Sequence, residues 1–276
     1  MADKAPVIIA VAPNGARRTR ADHPRLPLTP TELAACAQEC LAAGASMMHL
    51  HVREPDGRHS LDPDRYAEAI TTIRQRLGDD IILQVTTESG GRYAPHEQIQ
   101  AIEELRPEAV SIAIRELFSE PSMETTVTAF LHALAARRTL VQYILYGIED
   151  LRRCIALHAA GVIPQRRPSV LLVLGSYRDH RDATPAELMS LVPHLPQEWS
   201  WSTCAFGPSE LRCVVTAALL GGHIRVGFEN NLQLPWGETA PNNGALVQAS
   251  VAALAPLALR AATCSEARNE LAASCA

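Results

Sequence analysis

The chain reads Met48-His49-Leu50-His51-Val52-Arg53-Glu54 where an apolar run ends in two histidines that are separated by one residue. On a β-strand this spacing places both imidazoles on the same face, about 6–7 Å apart along the backbone. Two histidines on one rigid face can share a divalent metal; the alternative is a strand with two unrelated histidines. A catalytic zinc needs a third protein ligand and an open position. Gly227-Phe228-Glu229-Asn230-Asn231 offers a carboxylate just after another apolar strand, which favours the metal site.

Short β-rich runs alternate with helical patterns along the whole chain. We predict eight strands, at residues 7–12, 47–52, 81–86, 109–114, 140–145, 169–174, 199–204 and 224–228. We predict helices at residues 29–43, 62–77, 95–105, 123–136, 148–160, 184–191, 208–220 and 243–259, with a last turn or two at 265–273. Such alternation is typical of parallel βα units, and eight units close into a barrel. The sequence therefore predicts an α/β fold, a (β/α)8 TIM barrel, with a doubly wound open sheet as the main alternative.

Length and composition narrow the class of protein. The 276 residues are 47% hydrophobic and 20% charged, which is enough for a sizeable core. We find no linker, low-complexity tract or charge block, so we expect a single domain over residues 1–276. The net charge of -5 and an aromatic content of 4% argue against nucleic acid as a partner. No apolar run reaches the length of a membrane span, and no signal peptide is recognised, so we expect a cytoplasmic enzyme.

The seven cysteines do not suggest a disulfide framework, because their number is odd and their spacing is scattered. Cys36 and Cys40 lie four residues apart on a predicted helix and could form half of a metal site. We interpret them instead as small buried hydrophobic residues.

Polar residues gather at the predicted mouth of the barrel, where TIM barrels carry their chemistry. Strand eight neighbours strand one, which neighbours strand two, so Glu229 can reach the same metal as His49 and His51. A zinc with three protein ligands keeps an open position and can polarise a carbonyl or activate water. The other polar residues that follow strands are Asn14, Thr86, Thr87, Glu88, Arg115, Glu116, Tyr146, Tyr177, Arg178 and Asn230.

Several motifs resemble a known family, the β-keto acid cleavage enzymes. The resemblance extends from about Val7 to Leu271, although the middle of the chain matches poorly. The matching stretches are Gly15…Thr19-Arg20-Ala21-Asp22-His23-Pro24…Leu26-Pro27…Thr29-Pro30, His49-Leu50-His51-Val52-Arg53-Glu54…Asp56-Gly57-Arg58, Gly221-Gly222-His223-Ile224-Arg225-Val226-Gly227-Phe228-Glu229 and Ala240-Pro241-Asn242-Asn243…Leu246-Val247.

The resemblance implies a zinc-dependent TIM barrel, a transferase that cleaves a β-keto acid with acetyl-CoA and gives acetoacetate and a new acyl-CoA. It implies that His49, His51 and Glu229 bind the zinc, which the substrate chelates through its ketone and carboxylate. Arg225 matches an arginine of the catalytic machinery, and Thr86 falls where the family has a serine near the substrate. The resemblance also implies a homo-oligomer, a dimer or a tetramer. No nucleotide-binding glycine motif occurs, so CoA would have to bind on loops.

Several positions depart from the family's pattern. The aspartate that follows the family's metal glutamate is Asn230 here, and an amide cannot take a proton as a carboxylate does. A second acidic residue of the family falls near Leu145, and strand four ends in Ile114-Arg115-Glu116 instead of a Gly-Thr turn. Our hypothesis is that Glu88 or Glu116, at the same rim, replaces the lost base.

One departure concerns the substrate. Family members that act on an amino-bearing keto acid have an acidic residue where this chain has Arg17. A guanidinium repels a cation and pairs with a carboxylate, so we predict a substrate with a second anionic or strongly polar end. Arg115 could reinforce this preference, and the alternative is that Arg17 simply faces solvent. The predicted substrate-binding residues are Asn14, Arg17, Thr86 and Arg115.

Two other functions stay open from the sequence. The missing aspartate permits a different zinc-dependent lyase or hydrolase that acts on a keto acid. A catalytically silent barrel that binds a metal or a small ligand is the third possibility.

Overall fold

The computed structural model describes residues 5–176 and 181–273, and it is built around a closed barrel of parallel strands. The strands follow one another round the barrel in chain order, and the last pairs with the first. This arrangement confirms the predicted TIM barrel and excludes the open sheet. The strands are β1 (Ile9–Val11), β2 (Met47–Leu50), β3 (Ile82–Thr86), β4 (Ala109–Ala113), β5 (Leu140–Leu145), β6 (Ser169–Leu174), β7 (Ser200–Ala205) and β8 (His223–Val226).

Helices lie between successive strands, and local signals fix several of their ends. The Thr29 hydroxyl accepts a hydrogen bond from the Glu32 amide, while the Glu32 carboxylate accepts one from the Thr29 amide, so the first helix begins in a capping box. It ends at Gly44, whose φ of 111° suits glycine. The helices are α1 (Pro30–Ala43), α2 (Pro63–Leu77), α3 (Pro95–Leu105), α4 (Glu124–Ala136), α5 (Ile148–Ala159), α6 (Pro185–Leu191), α7 (Glu210–Leu219), α8 (Asn243–Leu254) and α9 (Cys264–Ala272). Within the described ranges, no helix has both the length and the apolar character that a bilayer crossing requires.

Three differences from the predicted boundaries affect the architecture. The closing helix stops at Leu254, five residues early, because Pro256 cannot continue it. The chain then forms a short strand, Leu259–Ala261, which pairs in parallel with Ala5–Val7. The second predicted strand is divided at His51, because Val52–Arg53 leaves the barrel to pair with His59–Ser60.

The third error matters for the mouth of the barrel. Strand β4 ends at Ala113, and a single helical turn, Ile114–Leu117, follows it directly. Arg115 and Glu116 therefore lie on a helical turn at the rim, so their side chains leave the backbone in different directions.

The cysteines that could have formed half of a metal site are buried packing residues. Cys36 and Cys40 lie on α1 with their sulfur atoms 3.9 Å apart. In the described part of the chain they join no cluster of metal-binding side chains, and the six cysteines found there are free thiols. The sequence-based interpretation of these two residues is confirmed.

Candidate active site

Two imidazoles and one carboxylate converge at the mouth of the barrel. The Nε2 atoms of His49 and His51 lie 3.0 Å apart. Oε2 of Glu229 lies 3.6 Å from Nε2 of His49 and 3.4 Å from Nε2 of His51. His49 lies on β2, His51 follows it, and Glu229 follows β8, two strands away across β1. The three predicted metal ligands therefore meet in one place.

The spacing of these three atoms fits a tetrahedral metal ion. Ligands bound to zinc at about 2.0–2.1 Å in a tetrahedron lie roughly 3.3 Å from one another, close to the observed spacings. Oε2 of Glu229 is buried and has no hydrogen-bond partner, which is costly for a carboxylate oxygen unless a cation accompanies it. Within residues 5–176 and 181–273, no other cluster of three such donors is found.

Neighbouring groups keep the cluster in the protonation state that metal binding requires. Burial lowers the pKa of His49 to about 3, and Arg225 adds to the effect, so the imidazole is neutral near pH 7. Burial alone would raise the pKa of Glu229, but the Arg225 guanidinium holds it well below its usual value. Nδ1 of His49 lies 2.9 Å from Oε1 of Gln84, and an amide oxygen only accepts. Nδ1 therefore donates, and the lone pair of Nε2 faces the cluster.

The turn that carries Glu229 is anchored by two neighbouring helices. The Phe228 amide donates to Oδ1 of Asn243 at 2.8 Å, at the start of α8. The Gly227 amide and the Asn231 side chain both donate to the carboxylate of Glu210, at the start of α7. Burial raises the pKa of Glu210 to about 8. Neither anchor was predicted from the sequence. Asn243 belongs to one of the family-like motifs, but no role was assigned to it, and no local sequence feature distinguishes Glu210.

Gly15 makes the close approach of Glu229 possible. Its φ is +59°, and a methyl group there would lie 2.5 Å from Cγ of Glu229. We expect Gly15→Ala to displace the carboxylate and to weaken the binding of added zinc about tenfold or more, measured by competition with a chelator. Gly57→Ala is the matched control, because Gly57 has a φ of +83° but no atom within 4 Å of the added methyl. Both variants carry a backbone strain of about 1–2 kcal/mol. Equal zinc affinities would show that the contact with Glu229 is unimportant.

Arg225 is the buried cation behind the cluster. Its Nη2 donates to Oε1 of Glu229 at 2.8 Å, to Oδ1 of Asn230 at 3.2 Å and to the Cys204 sulfur at 3.3 Å. Burial opposes the charge of Arg225, but Cys204 and Glu229 raise its pKa above its usual value. Asn230 is buried beside this guanidinium and does not line the main cavity.

A cavity of about 430 Å³ opens beside the cluster. Most of the predicted site residues reach it: its wall includes His49, Thr86, Glu88, Arg115, Glu116, Arg225, Glu229 and the exposed Arg17. Asn14 instead lines a smaller neighbouring cavity of about 50 Å³. Its side chain donates to the carbonyls of Pro27 and His51, at 2.9 and 3.1 Å, and so connects the loop after β1 to the segment that carries the two histidines. Tyr177 and Arg178 lie outside the described residues.

Comparison with known proteins identifies the family. A family model described as β-keto acid cleavage enzyme matches residues 6–272. The chain belongs to the β-keto acid cleavage enzyme family. It is 30% identical over 272 residues to the 3-keto-5-aminohexanoate cleavage enzyme of Fusobacterium nucleatum, covering 96% of this chain and 97% of that protein. It is also 30% identical over 262 residues to the 3-oxoadipate:acetyl-CoA acetyltransferase of Cupriavidus necator, covering 90% of this chain and 88% of that protein.

A solved structure with the same fold is the binary complex of ObcA with oxaloacetate. Its TM-score is 0.74 at 16% identity, and the match covers 90% of this chain and 67% of that chain. At this identity the likeness supports the barrel alone. Membership of the β-keto acid cleavage enzyme family confirms the resemblance that we inferred from the sequence motifs. It also establishes that the protein is an enzyme.

Glu88 and Glu116, the two candidates for the missing base, have different surroundings. Oε2 of Glu88 lies 3.9 Å from Nε2 of His51, and the Glu88 amide donates to the hydroxyl of Thr86. Burial raises the pKa of Glu88; His51 opposes this, while Glu229 and Glu116 raise it further. Oε2 of Glu116, in contrast, already accepts hydrogen bonds from the Ser89 amide at 2.8 Å and the Gln98 side chain at 2.9 Å. Of the two, Glu88 is the one whose carboxylate lies beside the cluster of His49, His51 and Glu229.

Proposed function

We propose that this enzyme exchanges acyl groups between a β-keto acid and acetyl-CoA. A bond forms between C2 of the keto acid and the acetyl carbon, the C2–C3 bond breaks, and the CoA thiolate passes to the released acyl group. The products are acetoacetate and a new acyl-CoA, so all atoms balance. The printed names of relatives support this exchange: one is a 3-oxoadipate:acetyl-CoA acetyltransferase and another a 3,5-dioxohexanoate:acetyl-CoA acetone transferase.

We further propose that His49, His51 and Glu229 hold a divalent metal, with zinc favoured by two imidazoles and one carboxylate. The observation that carries this proposal is the convergence of two Nε2 atoms with a buried, unpartnered carboxylate oxygen on the wall of the main cavity. When bound, the ion acts as a Lewis acid that polarises a ketone oxygen.

The chain's own residues supply orientation and proton movement. C2 of the keto acid must lose a proton before it can attack, and we assign Glu88 as the base because its carboxylate lies on the cavity wall beside the cluster. Arg225 fixes the position of Glu229 and places a permanent positive charge behind the cluster. Thr86 accepts a hydrogen bond from the Glu88 amide and so fixes the start of the loop that carries the base.

Charge on the cavity wall favours a substrate with a second anionic or strongly polar end. In the described part of the chain four arginines line this wall, and a guanidinium can bind a carboxylate, although Asp150 and Glu187 already pair with Arg115 and Arg181. A 30% identical relative is named for 3-oxoadipate, a keto acid with two carboxylates. We also propose a homo-oligomer, a dimer or a tetramer, for which light scattering is the direct test.

Metal analysis combined with turnover assays tests the proposed function. We expect about one divalent ion per chain, and turnover of a panel of β-keto acids that requires both the metal and acetyl-CoA. Removal of the ion by a chelator is expected to abolish turnover, and added zinc is expected to restore it. Carbon–carbon cleavage without acetyl-CoA would favour another zinc-dependent lyase or hydrolase. A tightly bound zinc with no turnover across the panel would favour a silent binding barrel.

A further inference from the structure

Arg115 is held in one orientation by groups that sequence reasoning did not connect with it. Its Nε and Nη2 atoms both donate to Oδ2 of Asp150, at 3.1 and 2.7 Å. The same oxygen accepts the Tyr146 amide at 2.8 Å. The guanidinium lies over the Tyr146 ring, with its carbon 4.4 Å from the ring centroid. A long flexible side chain is therefore fixed before any ligand arrives.

The fixed guanidinium keeps one binding edge available. Asp150 occupies the edge formed by Nε and Nη2. In the described part of the chain, the opposite edge, where Nη1 lies beside Nη2, makes no further hydrogen bond to a protein group. The Arg115 side chain is 52% exposed and lines the main cavity together with Tyr146. Two parallel N–H groups on such an edge match the two oxygens of a carboxylate.

Topology separates Arg115 from the three clustered side chains. His49 and His51 come from β2 and the residue after it, and Glu229 from the turn after β8, whereas Arg115 follows β4, two positions from β2 and four from β8 in the eight-stranded ring. Arg17, in contrast, lies on the loop after β1, between the two parts of the cluster. It lines both cavities together with Glu88 and Glu229. A substrate whose keto acid end lies at the cluster can therefore extend its other end through the shared cavity to Arg115.

We propose that Arg115, positioned by Asp150 and Tyr146, binds a second carboxylate at the far end of the substrate. The substrate class is then a β-keto acid with a terminal carboxylate, and Arg115, not Arg17, determines this preference. The inference rests on the proposed function for the placement of the keto acid end. Asp150 is a positioning residue here, since it acts through Arg115.

A matched pair of substrates tests the preference. 3-Oxoadipate and 3-oxohexanoate share the keto acid end and differ in a terminal carboxylate or methyl group. We expect the wild-type kcat/KM to favour 3-oxoadipate, and Arg115→Met to reduce that ratio about ten- to hundredfold, as expected for the loss of hydrogen bonds to a charged group. Asp150→Asn is expected to reduce the ratio by a smaller factor, mainly through KM, because Arg115 remains but is less firmly held.

Controls separate this role from general damage. Arg152→Met removes an exposed arginine from the same helix as Asp150, where it pairs with Glu149, and is expected to leave the ratio unchanged. An unchanged ratio in Arg115→Met would overturn the proposal, as would a ratio that collapses only in Arg17→Met. Either result would make the Arg115–Asp150 pair a purely structural link.

A binding measurement keeps the test independent of turnover. We expect adipate to raise the melting temperature of the wild-type protein more than hexanoate does, and Arg115→Met to remove the difference. If no β-keto acid is turned over, the proposed function fails, but this difference would still support a carboxylate site at Arg115. If turnover occurs with no preference for the terminal carboxylate, only the Arg115 proposal fails.

Discussion

Replacing Glu229 with glutamine is expected to abolish binding of the proposed metal and to lower kcat by about a thousandfold or more. The change keeps the shape of the side chain but removes the negative charge that lies 3.6 and 3.4 Å from the two histidine nitrogens. A bound metal contributes several kcal/mol of charge stabilisation to such a reaction, and about 4 kcal/mol corresponds to a thousandfold in rate. Metal content by mass spectrometry and turnover of a β-keto acid with acetyl-CoA are the two measurements.

The control for this variant is Glu149→Gln, because Glu149 is an exposed glutamate on α5 whose partner is Arg152. We expect full metal content and full activity from it. Circular dichroism should show the same barrel in both variants, since the amide oxygen of the substituted side chain can still accept a hydrogen bond from Arg225. A Glu229→Gln protein that retains one metal per chain and normal turnover would show that this carboxylate is not a ligand.

Glu88→Gln is expected to lower kcat by about 10²–10⁴, the usual contribution of a general base. Glu88 is the carboxylate that lies on the cavity wall 3.9 Å from His51, whereas the carboxylate of Glu116 is already engaged by the Ser89 amide and Gln98. Glu116→Gln is therefore the matched control, with a much smaller expected loss. Exchange of the substrate's C2 protons with heavy water reports the base directly, and we expect it to stop in Glu88→Gln alone.

The reverse pattern, with exchange lost only in Glu116→Gln, would move the role of base to Glu116. Full activity in both variants would end the idea that either carboxylate replaces the aspartate whose place Asn230 takes. Loss of turnover in Glu88→Gln with normal exchange would give Glu88 a role in substrate binding instead of proton transfer.

The fold could be predicted from the sequence because its signals are local. The start of α1 is specified by Thr29, Pro30 and Glu32 within four residues, and its end by Gly44. The closing helix was predicted too long because its apolar pattern continues past Leu254, while Pro256 and the pairing of Leu259–Ala261 with Ala5–Val7 end it. That pairing joins two segments that are far apart in the sequence, which no local pattern reveals.

The cluster could be predicted for a different reason. Once eight parallel strands are assumed, the topology itself makes β8 and β2 near neighbours, so His49, His51 and Glu229 must approach one another. The residues that hold the site in place could not be predicted from the topology. Glu210 contacts the Glu229 turn, and Asp150 holds Arg115, from distant positions in the chain, and both contacts depend on how helices pack at the rim.

The proposed chemistry depends most on one metal ion bound by two imidazoles and a carboxylate. Anomalous X-ray diffraction at the zinc edge, from crystals grown with zinc, is the most direct measurement. We predict one peak about 2.0–2.2 Å from Nε2 of His49, Nε2 of His51 and Oε2 of Glu229, on the wall of the main cavity. A map with no peak there, or with the Glu229 carboxylate turned away from both histidines, would contradict the proposed chemistry.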